Sequence, residues 1–340
     1  MSKVTVISAI FNIVKAGRVE VFRKCLESVH NQTHKDIEHL VIDGGSADGT
    51  LEILKKYERK GWIKYVSEPD NGIYDAMNKG AGMATGDYIA FLNSDDYWFD
   101  KKGIERSVKE LDAQQGDFSF APSYTTLDDF PIQKCDTSLG NFFMRMPFCH
   151  QTMLTRRDVF LELGGFDTDN YRSAGDFHFI LRLILSGHKP VYVPCNFTAY
   201  SHGGFSAVDM EASAKDCVKA IFTQFKLIDP AFTMADARKA FYGHAMSEEM
   251  VDKIMKRVDP QVALRIGELR QQKDDKGNIR YTLDDYTHAL YESDFIRDTH
   301  WEVYSKEVSW FGLPVYSRKD TAADSQVSIL GIPVWSKRSE

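Results

Sequence analysis

The sequence predicts an α/β fold in which a mostly parallel sheet is covered by helices, followed by a helical C-terminal region and two short hairpin-like repeats. Three observations support this prediction. Short apolar runs alternate with amphipathic segments over the first hundred residues, a long stretch after residue 206 is charged and poor in glycine, and the last forty residues contain an internal repeat. We therefore expect three regions, at 1–206, 207–300 and 301–340.

The first region opens with Lys3–Ile10, a β-branched run typical of a buried strand. A helix is predicted next because apolar residues share one helical face: Val21, Phe22, Cys25, Leu26 and Val29. The chain then continues as strand, helix, strand, helix and strand over Ile37–Ile42, Thr50–Arg59, Ile63–Ser67, Ile73–Ala84 and Asp87–Leu92. Such alternation with short loops indicates βαβ units and parallel neighbours.

After Asp96 the pattern is mixed. Asp176–Ser186 has the periodicity of an amphipathic helix, and Val191–Val193 and Phe197–Tyr200 are short strand candidates. From about residue 207 the charged, helix-favouring composition predicts a separate helical region.

The internal repeat consists of Val308–Lys319 and its second copy, Val327–Arg338. Each copy has an aromatic and aliphatic body, a Gly-x-Pro turn and a basic tail. Two interpretations stay open. The copies are either small β-hairpins that pack on the body or on another subunit, or a surface that docks on an anionic membrane interface, which aromatic residues beside Lys and Arg suit.

Composition limits the partners and the compartment. The formal net charge of -7 argues against nucleic acid, because binding to a phosphate backbone needs a basic face. The five cysteines form no CxxC pair, which favours reduced thiols in the cytoplasm. The N-terminus does not resemble a signal peptide, and no run approaches the roughly 18 to 20 apolar residues of a membrane span. We expect a cytoplasmic protein, with contact at the inner face of the membrane as the alternative setting.

Acidic residues follow two of the predicted strands. Asp43 ends the second strand, and Asn93, Asp95 and Asp96 follow the fourth. In open parallel sheets, ligands bind beyond the carboxyl ends of the strands. Oxygen ligands there suit Mg²⁺ or Mn²⁺, which is commonly held by one or two carboxylates and by substrate phosphates. His202 would add a nitrogen ligand from a glycine-containing loop, although a single histidine is more often structural.

Four segments in order resemble family 2 inverting glycosyltransferases of the GT-A fold, as found in bacterial surface-polysaccharide assembly. They are Val41–Thr50, Glu68–Gly80, Gly86–Asp96, and Gly164–Asp167 followed by Ala174–Asp176. The likeness covers about residues 3 to 206. Glycine-rich dinucleotide and P-loop motifs are missing from the sequence, as is the nucleophile elbow of α/β-hydrolases.

The resemblance implies a site for a nucleotide-diphosphate sugar. It assigns donor contacts to six residues: Asp43, Asp70, Asn71, Asp75, Asn93 and Ser94. Asp43 is expected beside the base of the nucleotide. The family often has a second acid next, where this chain has Gly44, and this departure puts base recognition in doubt.

The resemblance also implies a metal and a base. Asp95 is the expected ligand of Mn²⁺ or Mg²⁺, with His202 as a third contact found in some members, while Asn93 replaces the usual aspartate. Asp176 matches the general base that deprotonates the acceptor hydroxyl, although a carboxylate at a helix start also serves as an N-cap. His150 and Gln151 are expected on the acceptor side.

The expected function is therefore transfer of a sugar to a glycan or lipid-linked acceptor, with an oligomer as an open question. Two other functions use a similar set of residues. A nucleotide-sugar-binding protein would keep the donor site and lose catalysis through changes such as Asn93, but an intact Asp176 speaks against it. A metal-dependent nucleotidyltransferase would normally show a glycine- and arginine-rich phosphate loop, which Ser8–Asn12 does not offer.

Overall fold

The computed structural model describes ten stretches of the chain: 2–127, 130–134, 137–195, 198–201, 210–243, 246–271, 304–310, 313–320, 324–329 and 332–338. The chain divides into two units, Met1–Asp284 and Asp285–Glu340. Each is described by itself. The boundary between the two units does not coincide with either of the predicted region boundaries, at 206 and at 300. Those two boundaries stay predictions from the sequence.

The first unit is built around a seven-stranded sheet with the order β10-β6-β9-β4-β1-β2-β3. A second sheet has the order β5-β11-β7-β8. The strands of the two sheets are β1 Val4–Ile10, β2 Ile37–Asp43, β3 Lys64–Ser67, β4 Tyr88–Phe91, β5 Tyr97–Trp98, β6 Phe118–Phe120, β7 Ser123–Leu127, β8 Phe130–Lys134, β9 Leu154–Arg156, β10 Pro190–Tyr192 and β11 Thr198–Ser201.

The pairing of the central strands confirms the predicted mostly parallel sheet. Strand β1 pairs in parallel with both β2 and β4, and β2 pairs in parallel with β3. Strand β9 differs, because it runs antiparallel between β4 and β6. With three residues it is too short to show a period in the sequence. Its direction brings the preceding residues, 150–153, to the carboxyl edge of β4, where Leu154 pairs with Ala90.

The helices of this unit are α1 Val19–His30, α2 Thr50–Arg59, α3 Ile73–Met83, α4 Gly103–Gln114, α5 Arg157–Glu162, α6 Gly175–Leu185, α7 Met210–Ile228, α8 Met234–Gly243, α9 Glu248–Met255 and α10 Pro260–Gln271. The predicted apolar face of α1 is buried, with Val21 at its margin. Helix α3 lies very close to β1, since a methyl group at Gly80 would be 2.5 Å from Ile7 Cγ2. A larger residue at position 80 would push the helix off the sheet.

The helices after residue 209 pack against the sheet-bearing part of the same unit. Helix α7 packs on α6 and also contacts the loop before it, where the Tyr171 hydroxyl lies 2.8 Å from the Thr223 hydroxyl of α7. Helix α10 packs on the segment before β9, because a methyl group at Gly140 would collide with Leu269. These helices therefore support the segments that carry His150 and α6.

The second unit is a four-stranded antiparallel sheet in the order β12-β13-β14-β15. Its strands are β12 Tyr304–Trp310, β13 Leu313–Asp320, β14 Asp324–Ile329 and β15 Ile332–Arg338. Because β13 pairs with β14 as well as with β12, the backbone forms one sheet. The two alternatives for the repeats stay predictions: a pair of small β-hairpins that pack on the body or on another subunit, or a surface that docks on a membrane.

Glu38 anchors the amino edge of the central sheet. Its carboxylate accepts hydrogen bonds from Thr5 Oγ1 at 3.0 Å, from Thr85 N–H at 3.0 Å and from Lys64 Nζ at 3.0 Å. Burial raises the pKa of Glu38, but the hydrogen bonds from Lys64, Thr85 and Thr5 outweigh it and lower the pKa to about 2. The ionised form is therefore the one that the fold stabilises.

We expect Glu38→Gln to lower the free energy of unfolding by about 2 to 3 kcal/mol at pH 7. Since the pKa is lower in the folded state, this stabilisation is complete above the unfolded pKa of 4.5 and is lost as the pH falls toward 2. Urea unfolding of both proteins at pH 7 and pH 3 measures the difference, with Glu58→Gln on the exposed face of α2 as control. A difference that does not change with pH would contradict this account.

Candidate active site

The carboxyl ends of β1, β2 and β4 bring together the side chains predicted for the site. Asp43 is the last residue of β2, and Asn93–Asp96 follows β4 directly. Phe11 follows β1, between these two strands, and is 55% exposed. The parallel order of the three strands makes this edge a single surface with acidic groups on both sides of an exposed aromatic ring.

Asp43 is fully buried and organises the loop that follows it. Its carboxylate accepts hydrogen bonds from Ser46 N–H at 2.9 Å, from the Ser46 hydroxyl and from the Ser67 hydroxyl at 2.6 Å. The first two hold the turn after β2, and the third ties it to the end of β3. The contact of Asp43 with a nucleotide base stays a prediction.

Gly44 leaves room for another carboxylate. A methyl group at Gly44 would lie 2.6 Å from Asp70 Oδ2, so the Asp70 side chain occupies the space beside the glycine. Asp70 Oδ1 accepts a hydrogen bond from Gly72 N–H at 2.9 Å, and Gly72 adopts φ +116°, which favours glycine. The chain thus supplies an acidic group here from the β3–α3 loop and not from position 44.

The start of α3 holds the other two residues predicted near the nucleotide. Asn71 N–H donates to Asp75 Oδ2 at 2.9 Å, which fixes the entry into the helix. Lys79, one turn later, places its ammonium 3.2 Å from Glu68 Oε1 and 3.7 Å from Asp75 Oδ2, and donates to the Pro69 carbonyl. Lys79 lies in the Glu68–Gly80 segment, but no sequence pattern indicated a role for it.

The turn after β4 is held by Gln151. Its Oε1 accepts a hydrogen bond from Asn93 N–H at 2.8 Å, and its Nε2 donates to Asp96 Oδ2 at 2.6 Å. Gln151 is fully buried and Ser94 is 5% exposed. Gln151, predicted on the acceptor side, therefore lies behind the turn and positions it. Asn93 Oδ1 is buried and, among the described residues, has no hydrogen-bond partner.

Asp95, the predicted metal ligand, forms an ion pair with Arg18. Arg18 Nη1 lies 3.1 Å from Asp95 Oδ2, and the Asp95 side chain is 22% exposed. No sequence pattern had indicated Arg18, which is 77 residues away. Within the described ranges, no group of three or more His, Cys, Asp or Glu side chains is placed to hold a metal ion. His202 lies outside the described residues.

Asp176 lies at the first turn of α6 in a cluster with His150 and Tyr74. His150 Nδ1 is 2.9 Å from Asp176 Oδ2, and the Tyr74 hydroxyl donates to Asp176 Oδ1 at 3.0 Å. Phe177 N–H donates to the same Oδ1 at 2.8 Å. Burial raises the pKa of Asp176, but the hydrogen bond and the charge of His150, with the other two donors, hold the pKa below its ordinary value.

Tyr74 lies in the Glu68–Gly80 segment, but no sequence pattern indicated a role for it. Its ring lies against Gly175, where a methyl group would come within 2.8 Å of Cε2. Burial raises the pKa of Tyr74 well above its ordinary value, so the hydroxyl stays protonated and acts as a donor. The sequence signal for this contact is Gly175, the small residue before Asp176, which permits the close approach of the ring.

The loop before α6 is held by the helical region. Asp216 on α7 accepts hydrogen bonds from Arg172 N–H at 3.0 Å and from Ser173 N–H at 3.1 Å. Ser173 in turn accepts the Tyr74 hydroxyl at its carbonyl, 3.1 Å away. The position of Asp176 thus depends on α7, which the sequence had predicted as part of a separate region.

Comparison with known proteins gives the family. The model of "Glycosyl transferase family 2" matches residues 6–163. An uncharacterized glycosyltransferase of Mycobacterium tuberculosis (strain H37Rv) is 32% identical over 198 residues, which covers 56% of this chain and 72% of the relative. A "PGL/p-HBAD biosynthesis glycosyltransferase" of M. tuberculosis (strain H37Ra) is 28% identical over 190 residues, 54% of this chain and 69% of the relative.

Among solved structures, S. aureus TarS 1-349 superposes with a TM-score of 0.54 at 16% identity and covers 76% of this chain and 82% of its own. The same protein in complex with UDP-GlcNAc superposes with a TM-score of 0.54 at 15% identity. At this identity the likeness shows the fold alone, a GT-A-like α/β fold. The family model and the relative at 32% identity show that this chain belongs to glycosyl transferase family 2.

Proposed function

We propose that this glycosyltransferase moves a sugar from a nucleotide-diphosphate sugar onto an acceptor hydroxyl with inversion at the anomeric carbon. One observation carries the proposal. The adjacent residues His150 and Gln151 connect the two halves of the site, because His150 contacts Asp176 and Gln151 holds the Asn93–Asp96 turn. A single short turn therefore sets the distance between the base side and the donor side.

The donor side is the carboxyl edge of β1, β2 and β4. Phe11 offers an exposed ring for a nucleotide base, and Asp70 beside Gly44 offers an acceptor for its polar groups. Asn71 and Asp75 at the start of α3 complete this side. The predicted nucleotide contacts of Asp43, Asn93 and Ser94 belong to the same proposal.

We propose Asp95 as the ligand of Mn²⁺ or Mg²⁺. The residues fit a site with few protein ligands, because Asn93 Oδ1 is buried without a described partner and Asp95 is partly exposed nearby in the chain. Such a cation, when bound, neutralises the diphosphate leaving group as its charge increases. His202 would be an additional ligand. Arg18 would exchange Asp95 for a donor phosphate, which a guanidinium binds as well as a carboxylate.

The acceptor side is the cluster around Asp176. A hydroxyl that loses its proton here attacks the anomeric carbon from the face opposite the diphosphate, which inverts the configuration. We propose a glycan or a lipid-linked saccharide as the acceptor, in line with the relative named for PGL/p-HBAD biosynthesis. In the described part of the chain, no helix has the length and apolar character of a membrane span. Separately, we propose the C-terminal repeats as the part of the chain that contacts the inner face of the membrane.

A protein that binds donors without transfer is disfavoured by the intact base side. Tyr74, His150 and Phe177 N–H all converge on the Asp176 carboxylate, and Asp216 secures the loop that carries it. A protein without catalysis would have no use for this buried charged cluster, and burying charged groups costs free energy.

The test is binding and hydrolysis of a donor panel by the full chain with and without Mn²⁺. The panel consists of UDP-glucose, UDP-N-acetylglucosamine, GDP-mannose and dTDP-rhamnose, and release of the nucleoside diphosphate reports turnover. We expect one donor to bind and to be hydrolysed slowly, with water as the acceptor. If no member of a panel widened to all common nucleotide-sugars binds, the proposed function is wrong.

Gly44 provides a prediction about the donor side. We expect Gly44→Asp, which restores the second acid common in the family, to weaken donor binding by about tenfold, equivalent to about 1.4 kcal/mol. The new side chain would collide with Asp70 Oδ2 and place two carboxylates side by side. Calorimetric titration of the donor found with the panel measures the change.

Two further variants make this prediction specific. Gly44→Asp combined with Asp70→Gly should recover most of the affinity, because one acid then replaces the other. Gly82→Asp is the control, since Gly82 on α3 is exposed and a methyl group there meets no atom within 4 Å. Tighter donor binding by Gly44→Asp alone would show that Asp70 does not fill the role of the second acid.

A further inference from the structure

The two oxygens of the Asp176 carboxylate have different surroundings. Oδ1 accepts hydrogen bonds from the Tyr74 hydroxyl at 3.0 Å and from Phe177 N–H at 2.8 Å. Oδ2 has one such contact among the described residues, with His150 Nδ1 at 2.9 Å. Since each carboxylate oxygen has about two acceptor positions, Oδ1 is filled and Oδ2 keeps one position for a substrate hydroxyl. The Asp176 side chain is 14% exposed, so it stays accessible from solvent.

Tyr74 is suited to hold the carboxylate in this orientation. Its hydroxyl has one proton and lies near two acceptors, Asp176 Oδ1 at 3.0 Å and the Ser173 carbonyl oxygen at 3.1 Å. The carboxylate is the stronger acceptor because it carries a charge, so we expect the proton on the Asp176 side. Burial raises the pKa of Tyr74 well above its ordinary value, so the hydroxyl keeps this proton. Tyr74 is therefore a constant hydrogen-bond donor to the ionised base.

The ring of Tyr74 has little room to move. It is 8% exposed, packs against Phe166 with ring centroids 5.1 Å apart, and would collide with a methyl group at Gly175. One turn later on α3, Asn78 binds the backbone of Phe166 twice, since its Nδ2 donates to the carbonyl at 2.8 Å and its Oδ1 accepts from N–H at 2.9 Å. The face of α3 that carries Tyr74 is thus fixed against the segment that leads to Asp176.

We propose that Tyr74 is a positioning residue for the base: it occupies Oδ1 of Asp176 and thereby directs Oδ2 to the acceptor hydroxyl. This inference rests on the proposed function and deepens it, because it names the oxygen atom that receives the proton and the residue that selects this atom. Asp176 stays the catalytic residue. Asp75, next to Tyr74 on α3, belongs to the proposed donor side, so one helix sets the base relative to the donor.

The step balances without any further reactant. The acceptor oxygen forms a bond to the anomeric carbon while its proton moves to Asp176 Oδ2. The bond from the anomeric carbon to the diphosphate oxygen breaks, and its electron pair leaves with the nucleoside diphosphate. Asp176 ends as a neutral carboxyl group whose Oδ1 still accepts from Tyr74, and it returns the proton to water before the next turnover.

Three elements bring titratable groups to Asp176: α3 with Tyr74, the turn before β9 with His150, and α7 with Cys217 and Asp216. Burial raises the pKa of Cys217 to about 12, so its thiol is neutral, and Asp216 accepts hydrogen bonds from the backbone of the loop before α6. Burial also raises the pKa of Asp176, but the hydrogen bonds from His150 and, to a smaller extent, from Tyr74 hold it below its ordinary value. Loss of the Tyr74 hydroxyl should therefore raise the pKa of Asp176 and leave the other groups in place.

The test compares Tyr74→Phe with the wild type in hydrolysis of the donor identified by the panel, with the full chain and with water as the acceptor. The variant keeps the ring and its packing and removes the hydroxyl alone. We expect kcat to fall about tenfold, because the carboxylate is then free to rotate, with the donor Kd within about twofold. The ratio of wild-type to variant kcat should increase by about a further twofold as the pH is lowered from about 8 to about 4.5, since less of the base is then ionised.

The matched control is Tyr171→Phe, which removes another buried tyrosine hydroxyl, 2.8 Å from the Thr223 hydroxyl of α7. Its kcat should stay close to that of the wild type at each pH. An unchanged kcat in Tyr74→Phe, or an equal loss in Tyr171→Phe, would overturn the inference. A loss of donor affinity as large as the loss of kcat would also overturn it, because the hydroxyl would then act on the donor. Failure of the wild type to bind any donor would instead overturn the proposed function and this inference with it.

Discussion

Asp176→Asn is expected to reduce donor hydrolysis and transfer by about 100- to 10,000-fold, the range for loss of general-base catalysis. The amide is nearly isosteric, but it removes the charge and offers one acceptor where three donors now converge. Steady-state release of the nucleoside diphosphate measures the loss, with a donor Kd that stays within about twofold.

The control for this prediction is Asp117→Asn. Asp117 is also paired with a histidine, His188, but precedes β6 at the amino edge of the sheet, opposite the site. The Asp117→Asn variant should leave kcat/KM nearly unchanged. Turnover by Asp176→Asn close to that of the wild type would show that the cluster around α6 is structural and that the base lies elsewhere.

The second large effect is expected for Asp95→Ala. We expect it to weaken donor binding in the presence of Mn²⁺ by about 10- to 100-fold and to have little effect in its absence. The reason is that a charged ligand is removed from a site with few protein ligands, where the diphosphate supplies the rest. Calorimetric titration of the donor with Mn²⁺ and with EDTA measures both cases.

Arg18→Ala distinguishes the loss of a metal ligand from the loss of the ion pair. It removes the partner that lies 3.1 Å from Asp95 Oδ2 but keeps the carboxylate. The metal-dependent part of donor binding should therefore persist in Arg18→Ala. An equal loss of donor affinity with Mn²⁺ and with EDTA in Asp95→Ala would mean that Asp95 acts through Arg18, and the metal role would be wrong.

The donor half of the site was largely predictable from the sequence. Strand and helix alternate with short connections, and parallel strands place their carboxyl ends at one edge. Asp43 and the Asn93–Asp96 turn were therefore expected together, and the pairing of β1 with β2 and β4 brings them there. The apolar face of α1 followed from helical periodicity in the same way.

The proposed acceptor half was harder to predict from the sequence, because its contacts join residues far apart in the chain. Tyr74 meets Asp176 across 102 positions, and no local pattern encodes that contact. Asp216, on a helix predicted to belong to another region, secures the loop before α6. Gln151 shows the same limit, since no local pattern indicated the hydrogen bonds by which it holds the Asn93–Asp96 turn.

By itself, then, the sequence determined the α/β class, the parallel core and the sheet edge at which we propose that the chemistry takes place, since these depend on periodicity and on strand direction. The tertiary structure alone decided which atoms are engaged and which are left for a substrate. The antiparallel strand β9, only three residues long, brings the preceding turn to the edge of β4. That packing directs His150 to Asp176 and Gln151 to Asn93, because neighbouring side chains in a short turn point to different sides of it.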